Sequence, residues 1–257
     1  IMNKSLILLF AFFFLLSGCS PFGAGKESKN IVANGLTPKV LYELAQEKLE
    51  VGSIDQAINK FELILSSYPN SKYAIQARLD IAYNLYKRKK YNRAIITLDN
   101  FIEKYPALKS TPYAYYLRGV VAEEKSSSLL DNLVTDSAQR DVQSIQDSYK
   151  YYIILIEKFP DSKYSKEAST KLPRLVNALA RHELYVALYY TRIGANIAAI
   201  NRSKFIIENY PYSQSIPDSL NLMAYNYDEI NAKILARDTR NILSSSFPDY
   251  TPKYSLN

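Results

Sequence analysis

From residue 37 almost to the end of the chain, apolar residues recur at spacings of three and four, and no stretch alternates in the way a half-buried strand would. The pattern predicts an all-α protein. An aromatic-proline pair punctuates it five times, at Tyr68-Pro69, Tyr105-Pro106, Phe159-Pro160, Tyr210-Pro211 and Phe247-Pro248, with the prolines 37, 54, 51 and 37 residues apart. Twelve residues before each proline stands a small residue: Ala57, Ala94, Ser148, Ala199 and Ala236. Ahead of four of these lies the end of another amphipathic segment, marked by Gly52, by the turn in "KRKKY" (87–91), by Gly194 and by Asn231. Each unit therefore reads as helix, short turn, helix, aromatic-proline, which predicts about ten helices in five pairs.

The spacing has physical causes. A close helix crossing leaves room for little more than a methyl group, so a small residue belongs there. Proline lacks an N–H and restricts the residue before it, so it closes the second helix. Asn70-Ser71, Asp161-Ser162 and Tyr212-Ser213 then supply turn and capping groups for the next helix. This arrangement resembles the tetratricopeptide repeat: Ala57, Phe61 and Pro69, or Ala94, Leu98 and Pro106, stand where that repeat has its small crossing residue, a bulky residue one turn later and its closing proline. The resemblance implies an α-solenoid that curves into a superhelix with a concave face.

Two units are long. In the third, extra residues fall around "SSSLLDNLVTDSAQRD" (126–141), which predicts an inserted loop over 125–141 between the helices of that pair. In the fourth, the extra residues keep helical spacing from Lys166 to Tyr190, which predicts one helix of about 25 residues with Pro173 near its start. The insertion divides the repeats into an N-terminal set, 37–124, and a C-terminal set, 142–257.

The first residues follow a different pattern. Lys4 precedes an unbroken apolar run from Leu6 to Leu16, followed by Ser17-Gly18-Cys19. Eleven residues of helix reach about 17 Å against a hydrocarbon core of about 30 Å, so residues 1–18 read as a signal peptide rather than a span. Leu16-Ser17-Gly18-Cys19 resembles the bacterial lipobox, which makes Cys19 the expected site of lipidation by palmitate-like chains. Several chains at about 0.8 kcal/mol per buried CH₂ give stable anchoring. Ser20, standing where an inner-membrane lipoprotein has Asp, points by analogy to the outer membrane. Residues 19–36, rich in Gly, Ser, Pro and Lys, read as a tether.

Cys19 is the single cysteine, so the mature chain has no disulfide and no thiolate zinc cluster. Removing residues 1–18 takes the formal charge from +7 to +6, because Lys4 is their one charged residue. The catalytic inventory is poor. His182 is the single histidine and lies mid-helix, which excludes a two-histidine metal motif, and no Gly-x-Ser-x-Gly occurs. "GAGKE" ending at Glu27 fails as a phosphate loop, with Ser20 at the first glycine position and Glu27 at the Ser/Thr position. The expectation is a protein with no catalytic residues, no metal and no cofactor. The basic run Lys87-Arg88-Lys89-Lys90 falls at a predicted helix end, where cations complement the dipole; in a tethered protein anionic headgroups are the other reading. Nucleic acid does not fit an exported chain.

The 23 tyrosines are the remaining chemical signal. In tetratricopeptide arrays the first helix of each pair lines the concave face. That register places Tyr42, Gln46 and Leu49 there from the first unit, Gln76, Leu79, Tyr83 and Tyr86 from the second, and Tyr113 and Tyr116 from the third. Such a surface can stack on aromatic side chains and hydrogen-bond an extended backbone, although ordinary packing is an equally open use of the rings.

Lipobox, five repeats and the absence of a catalytic constellation together are similar to the BamD (ComL) family, the lipoprotein subunit of the outer-membrane β-barrel assembly machine. The similarity spans the mature chain and is most specific in "YAYYLRG" (113–119), "FPDSKYSKEA" (159–168) and "ALARHELYVALYYTRIGANIAAINR" (178–202). The resemblance implies a lipid-anchored scaffold on the periplasmic face of the outer membrane. Its N-terminal repeats would recognise unfolded outer-membrane proteins, and its C-terminal repeats, including Asn201-Arg202, would dock on the barrel-forming subunit, beside other assembly lipoproteins. A periplasmic repeat adaptor for cell-wall or division enzymes is the alternative.

Overall fold

The structure, a computed structural model, describes residues 35–128 and 142–254. Ten α-helices and no strands occur among the described residues: α1 (Pro38–Glu50), α2 (Ile54–Ser67), α3 (Lys72–Lys87), α4 (Tyr91–Lys104), α5 (Thr111–Ser128), α6 (Val142–Lys158), α7 (Lys163–Arg192), α8 (Asn196–Asn209), α9 (Ile216–Glu229) and α10 (Lys233–Ser246). No described helix is long and apolar enough to cross a membrane. Consecutive helices pack against one another, so the order is the five antiparallel pairs that the spacing predicts. The expected signal peptide, Cys19, most of the tether and residues 129–141 of the expected insertion lie outside the described residues.

The turns inside four of the pairs are one structure repeated. Gly52, Lys89, Gly194 and Asn231 all have positive φ, between 56° and 74°. At each, the N–H of the following residue reaches the carbonyl five residues back (Ser53 to Lys48, Lys90 to Leu85, Ala195 to Tyr190, Ala232 to Tyr227). The positive-φ residue itself donates three residues back, which completes the Schellman arrangement. The basic run is thus the end of α3, one such turn and the cap of α4. Arg88 is further held by Asp55 at 3.2 Å. Lys89 adopts φ 56° at a cost that glycine would not bear. Lys89→Gly is expected to raise stability by about 0.5–1 kcal/mol and the thermal midpoint by roughly 2 °C. A lowered midpoint in a calorimetric scan would count against the turn as described.

Between pairs, Tyr68, Tyr105, Tyr210 and Phe247 share one terminal backbone conformation, φ −130° to −137° and ψ 53° to 67°, and each donates its N–H four residues back before the proline stops the helix. Ser71 and Ser162 then cap α3 and α7 through Oγ, as expected. Ser213 accepts the N–H of Ser215, so it shapes the turn and does not cap α9. All five small residues, Ala57, Ala94, Ser148, Ala199 and Ala236, are fully buried. The bulky position one turn later is filled by Phe61, Leu98 and Tyr152, all fully buried, but becomes Ser203 in the fourth pair and Arg240 in the fifth.

Two sequence expectations need correction. The long helix has 30 residues, from Lys163 to Arg192, and Pro173 is its eleventh residue rather than near its start. Ser162 begins the helix where its counterpart Ser71 does. Pro173 is tolerated because it is exposed, so water can reach the Ser169 carbonyl that has lost its N–H partner. In addition, α5 continues to Ser128, so residues 125–128 of the expected loop are helical.

Apolar burial falls into two clusters, one running from Leu41 to Leu179 and the other from Ala180 to Leu243. Helix α7 contributes to both, and the ring of Tyr210 packs against both.

Candidate functional site

Beyond consecutive neighbours, helices meet in the series α1–α3, α3–α5, α5–α7 and α7–α9. These are the first helices of the pairs, which form a layer of their own. Along α3, Lys72, Gln76 and Tyr83 are exposed and Asp80 is partly so, a stripe at spacings of four, four and three. Tyr42 of α1 leans across to it. Its hydroxyl donates to Asp80 Oδ2 at 2.6 Å, and Gln76 Nε2 donates to Oδ1 of the same carboxylate at 3.1 Å. The Tyr42 ring also meets Phe61 and Tyr73 at 5.5 and 5.6 Å.

The stripe is extended by aromatic contacts within α3 and between α5 and α7. Tyr83 and Tyr86 lie 6.1 Å apart on α3, while on α5 Tyr113 and Tyr116 meet Tyr164 of α7 at 5.4 and 5.6 Å. Burial is the main reason that the phenols of Tyr86, Tyr113 and Tyr116 titrate high, Tyr113 at about 12. Nearby carboxylates add to the effect: Glu124 at Tyr86, Asp80 at Tyr113 and Glu167 at Tyr116. At neutral pH the band thus presents neutral phenols beside carboxylates, a surface of ring faces, donors and acceptors.

Of the residues expected here, Tyr42, Gln46, Tyr86, Tyr113 and Tyr116 are half-buried along this layer, Gln76 is exposed and Tyr83 is 43% exposed. Leu49 rests against the core. Leu79 is a correction: it is only 4% exposed, because α3 packs against α1, α2, α4 and α5 and keeps one narrow free stripe that excludes it. Sequence reasoning missed the acidic members. Asp80 stood at i+4 from Gln76 and could have been found by that spacing, but Glu124, Tyr164 and Glu167 reach the band only through tertiary packing.

Burial raises the Asp80 carboxyl above its ordinary value, against the lowering effect of its two hydrogen bonds. An acid whose folded-state value is raised lends stability below its unfolded value and loses it as pH rises through the folded one. Ionisation of Asp80 therefore costs the fold stability at neutral pH relative to the protonated acid. Asp80→Asn, which keeps an acceptor for Tyr42, is expected to be more stable than the parent at pH 7, with the gap closing toward pH 3. Denaturant melts at both pH values measure it, and a gap independent of pH would contradict this account.

Deeper along α7 lies a second polar centre. The Glu123 side chain of α5 is 12% exposed; it accepts the Tyr152 hydroxyl at 3.1 Å and is paired with Lys171 at 3.2 Å and with Arg174. Glu123, Lys171 and Arg174 border a cavity of about 680 Å³ whose lining follows α7 from Thr170 to Arg181. His182 is half-buried mid-helix, and no three His, Cys, Asp or Glu side chains gather as a metal site among the described residues.

On α8, Asn201 is exposed. Arg202 is 45% exposed and donates to Glu183 Oε2 of α7 at 2.9 Å; the Glu183 side chain is 14% exposed. Arg202 is thus half committed within the fold, a fact invisible in the sequence alone.

The family model described as YfiO, an outer membrane lipoprotein, matches residues 35–242. The outer membrane protein assembly factor BamD of Neisseria gonorrhoeae is 33% identical over 246 residues, covering 95% of this chain and 92% of that protein. Its namesake in Xylella fastidiosa strain 9a5c is 31% identical over 256 residues, 97% and 86% of the two chains. Among solved structures, the complex of the TPR2AB domain of yeast Sti1 with pHSP90 aligns at a TM-score of 0.40 and 12% identity, over 83% of this chain and 78% of that one.

Proposed function

The chain belongs to the YfiO outer-membrane lipoprotein family, and from that premise we propose that it is a non-enzymatic scaffold in the assembly of outer-membrane β-barrel proteins. It is held to the membrane by lipid on Cys19, takes unfolded client chains on its first-helix layer and docks on the barrel-forming subunit through its C-terminal repeats. The observation that carries this reading is the band from Tyr42 through Asp80, Tyr83 and Tyr113 to Tyr164 on four helices: the Tyr42–Asp80 hydrogen bond joins α1 to α3, the Asp80 carboxylate lies near Tyr113 of α5, and the Tyr113–Tyr164 ring contact joins α5 to α7. An unfolded strand offers unpaired backbone groups and outward-facing aromatic side chains, and a ring-and-amide surface meets both.

Crosslinking in intact envelopes followed by affinity purification tests the whole. Barrel-forming subunit and nascent barrel proteins are expected among the partners, whereas recovery of cell-wall or division enzymes in their place would replace this reading by an adaptor role. The docking part is tested by Arg202→Gln. A change to Glu would set a second carboxylate against Glu183 and disturb α7 and α8 whatever the partner. Arg202→Gln keeps a hydrogen-bond donor but gives up the ion pair with Glu183, so it is expected to cost about 1 kcal/mol of stability, read in a thermal melt, and to lower recovery of the barrel subunit severalfold, more than that loss accounts for. Undiminished recovery would take Arg202 out of the docking surface.

A further inference from the structure

One face of α7 joins the two halves of the molecule. Glu167, Lys171, Arg174, Ala178, Arg181 and Tyr185 follow at spacings of four, three, four, three and four, a single stripe about 27 Å long. Its first member lies beside Tyr116 of the aromatic band. Its middle lines the 680 Å³ cavity. Beyond that, a second hollow of about 240 Å³ shares Asn177, Arg181 and Gln214 with the first, and Asn177 Oδ1 accepts the Gln214 N–H at 2.8 Å where the two adjoin. The face is therefore continuous from the tyrosine band to Tyr185, about two turns before the end of α7.

The far hollow is walled on one side by the chain itself, through Lys253 and Tyr254. After α10, residues 250–254 form no helix or strand and lie back over α7 and α9. Tyr254 meets Tyr185 edge to face at 6.3 Å, the Tyr250 hydroxyl donates to Asp218 Oδ1 at 2.8 Å, and Lys253 Nζ stands 3.8 Å from Oδ2 of the same carboxylate. With the segment in place Asp218 is 5% exposed, and its two carboxylate oxygens are where the Tyr250 hydroxyl and the Lys253 ammonium meet α9. The mode of capture matches the near end of the layer, where the Tyr42 phenol sits on Asp80. What holds the segment is side-chain chemistry, an aromatic ring on a ring and a phenol and a cation on a buried carboxylate, none of it specific to a covalently attached chain.

We propose that this end of α7 and α9 is a second peptide site, for an unfolded segment with aromatic residues four apart, and that residues 249–254 occupy it until such a segment displaces them. The inference rests on the proposed role in receiving unfolded barrel proteins, and deepens it. In an extended strand residues i and i+4 point to one face, about 13 Å apart, and the outward face of a barrel strand is the one that carries aromatic residues. A client entering on the tyrosine band would run along α7 and end by exchanging its own rings for Tyr250 and Tyr254.

The test compares the full chain with one lacking residues 249–257, using a fluorescent synthetic strand peptide with Tyr at two positions four apart. The truncated chain is expected to bind the peptide about tenfold more tightly, and addition of free peptide 248–257 in trans should restore the weaker affinity. Tyr250→Phe, which keeps the ring in the core and loses the hydrogen bond to Asp218, guards against a truncation that unfolds; it is expected to tighten binding severalfold. Equal affinity for the parent, the truncated chain and Tyr250→Phe would overturn this inference alone. A peptide that binds none of them would overturn both the inference and the reading on which it rests.

Discussion

Gly119→Ala is expected to lower the stability of the chain by about 3 kcal/mol, although alanine is the better helix former by about 1 kcal/mol. A Cβ at position 119 would run into Cε1 of Tyr152 and stand 2.6 Å from its Cδ1, and these are ring atoms, not the free end of a flexible chain. The ring has no direction in which to yield. Tyr152 is fully buried, and its hydroxyl is tied to Glu123, itself held by Lys171 and Arg174. From the other helix Ser148 Oγ donates to the Gly119 carbonyl at 3.0 Å, so α5 and α6 cannot separate without losing a buried hydrogen bond. The clash therefore outweighs the propensity gain, and the thermal midpoint should fall by roughly 10 °C. Tyr152→Leu makes room, so the double variant should cost less than the sum of the two single changes by 1.5 kcal/mol or about that. Strict additivity in a double-mutant cycle would show that the ring is not what position 119 meets.

The second large effect is on client capture. Tyr83 and Gln76 are exposed members of the α3 stripe, so replacing both by Ala leaves the core intact while removing a ring face and an amide from the middle of the band. Central aromatic residues of an interface carry about 2 kcal/mol or more each, so Tyr83→Ala with Gln76→Ala is expected to weaken binding of an unfolded barrel protein by 10- to 100-fold. Tyr83→Phe keeps the ring and should cost about threefold at most. Ile96→Ala on α4, exposed on a second helix of a pair, should change nothing. If the Ile96 variant loses as much affinity as the Tyr83 variant, the first-helix layer is not the receiving surface.

Much of the fold was legible because its rules are local. An aromatic residue before proline, a serine after it and a small residue twelve before it each constrain a few neighbouring dihedrals or one crossing, so five units could be counted from their spacing. The positive-φ turns were visible as Gly52, Gly194 and Asn231 and, less plainly, within Lys87 to Lys90. Helical spacing alone starts α7 at Lys166, whereas the Ser162 cap starts it at Lys163, and an exposed interior proline weakens a helix without ending it. Leu79 was misassigned because helical spacing shows which residues share a face but not how many helices cover it. The functional surroundings were the least legible. Glu123 meets Lys171 and Arg174 from 48 and 51 residues away, Arg202 meets Glu183 from the preceding helix, and Tyr250 reaches Asp218 across 32 residues without any periodicity to announce it. These are carboxylates whose partners are set by the stacking of one pair on the next, and stacking geometry is not written in any one segment.

The central claim is that the layer of first helices, and not the layer of second helices, receives the unfolded client. A photoreactive side chain placed at position 83 on α3 or at position 96 on α4 of the full chain, in envelopes where a barrel protein is being assembled, measures this most directly. The account predicts capture of the unfolded barrel protein from position 83 and none above background from position 96. Capture from position 96 alone, or equally from both, would contradict it.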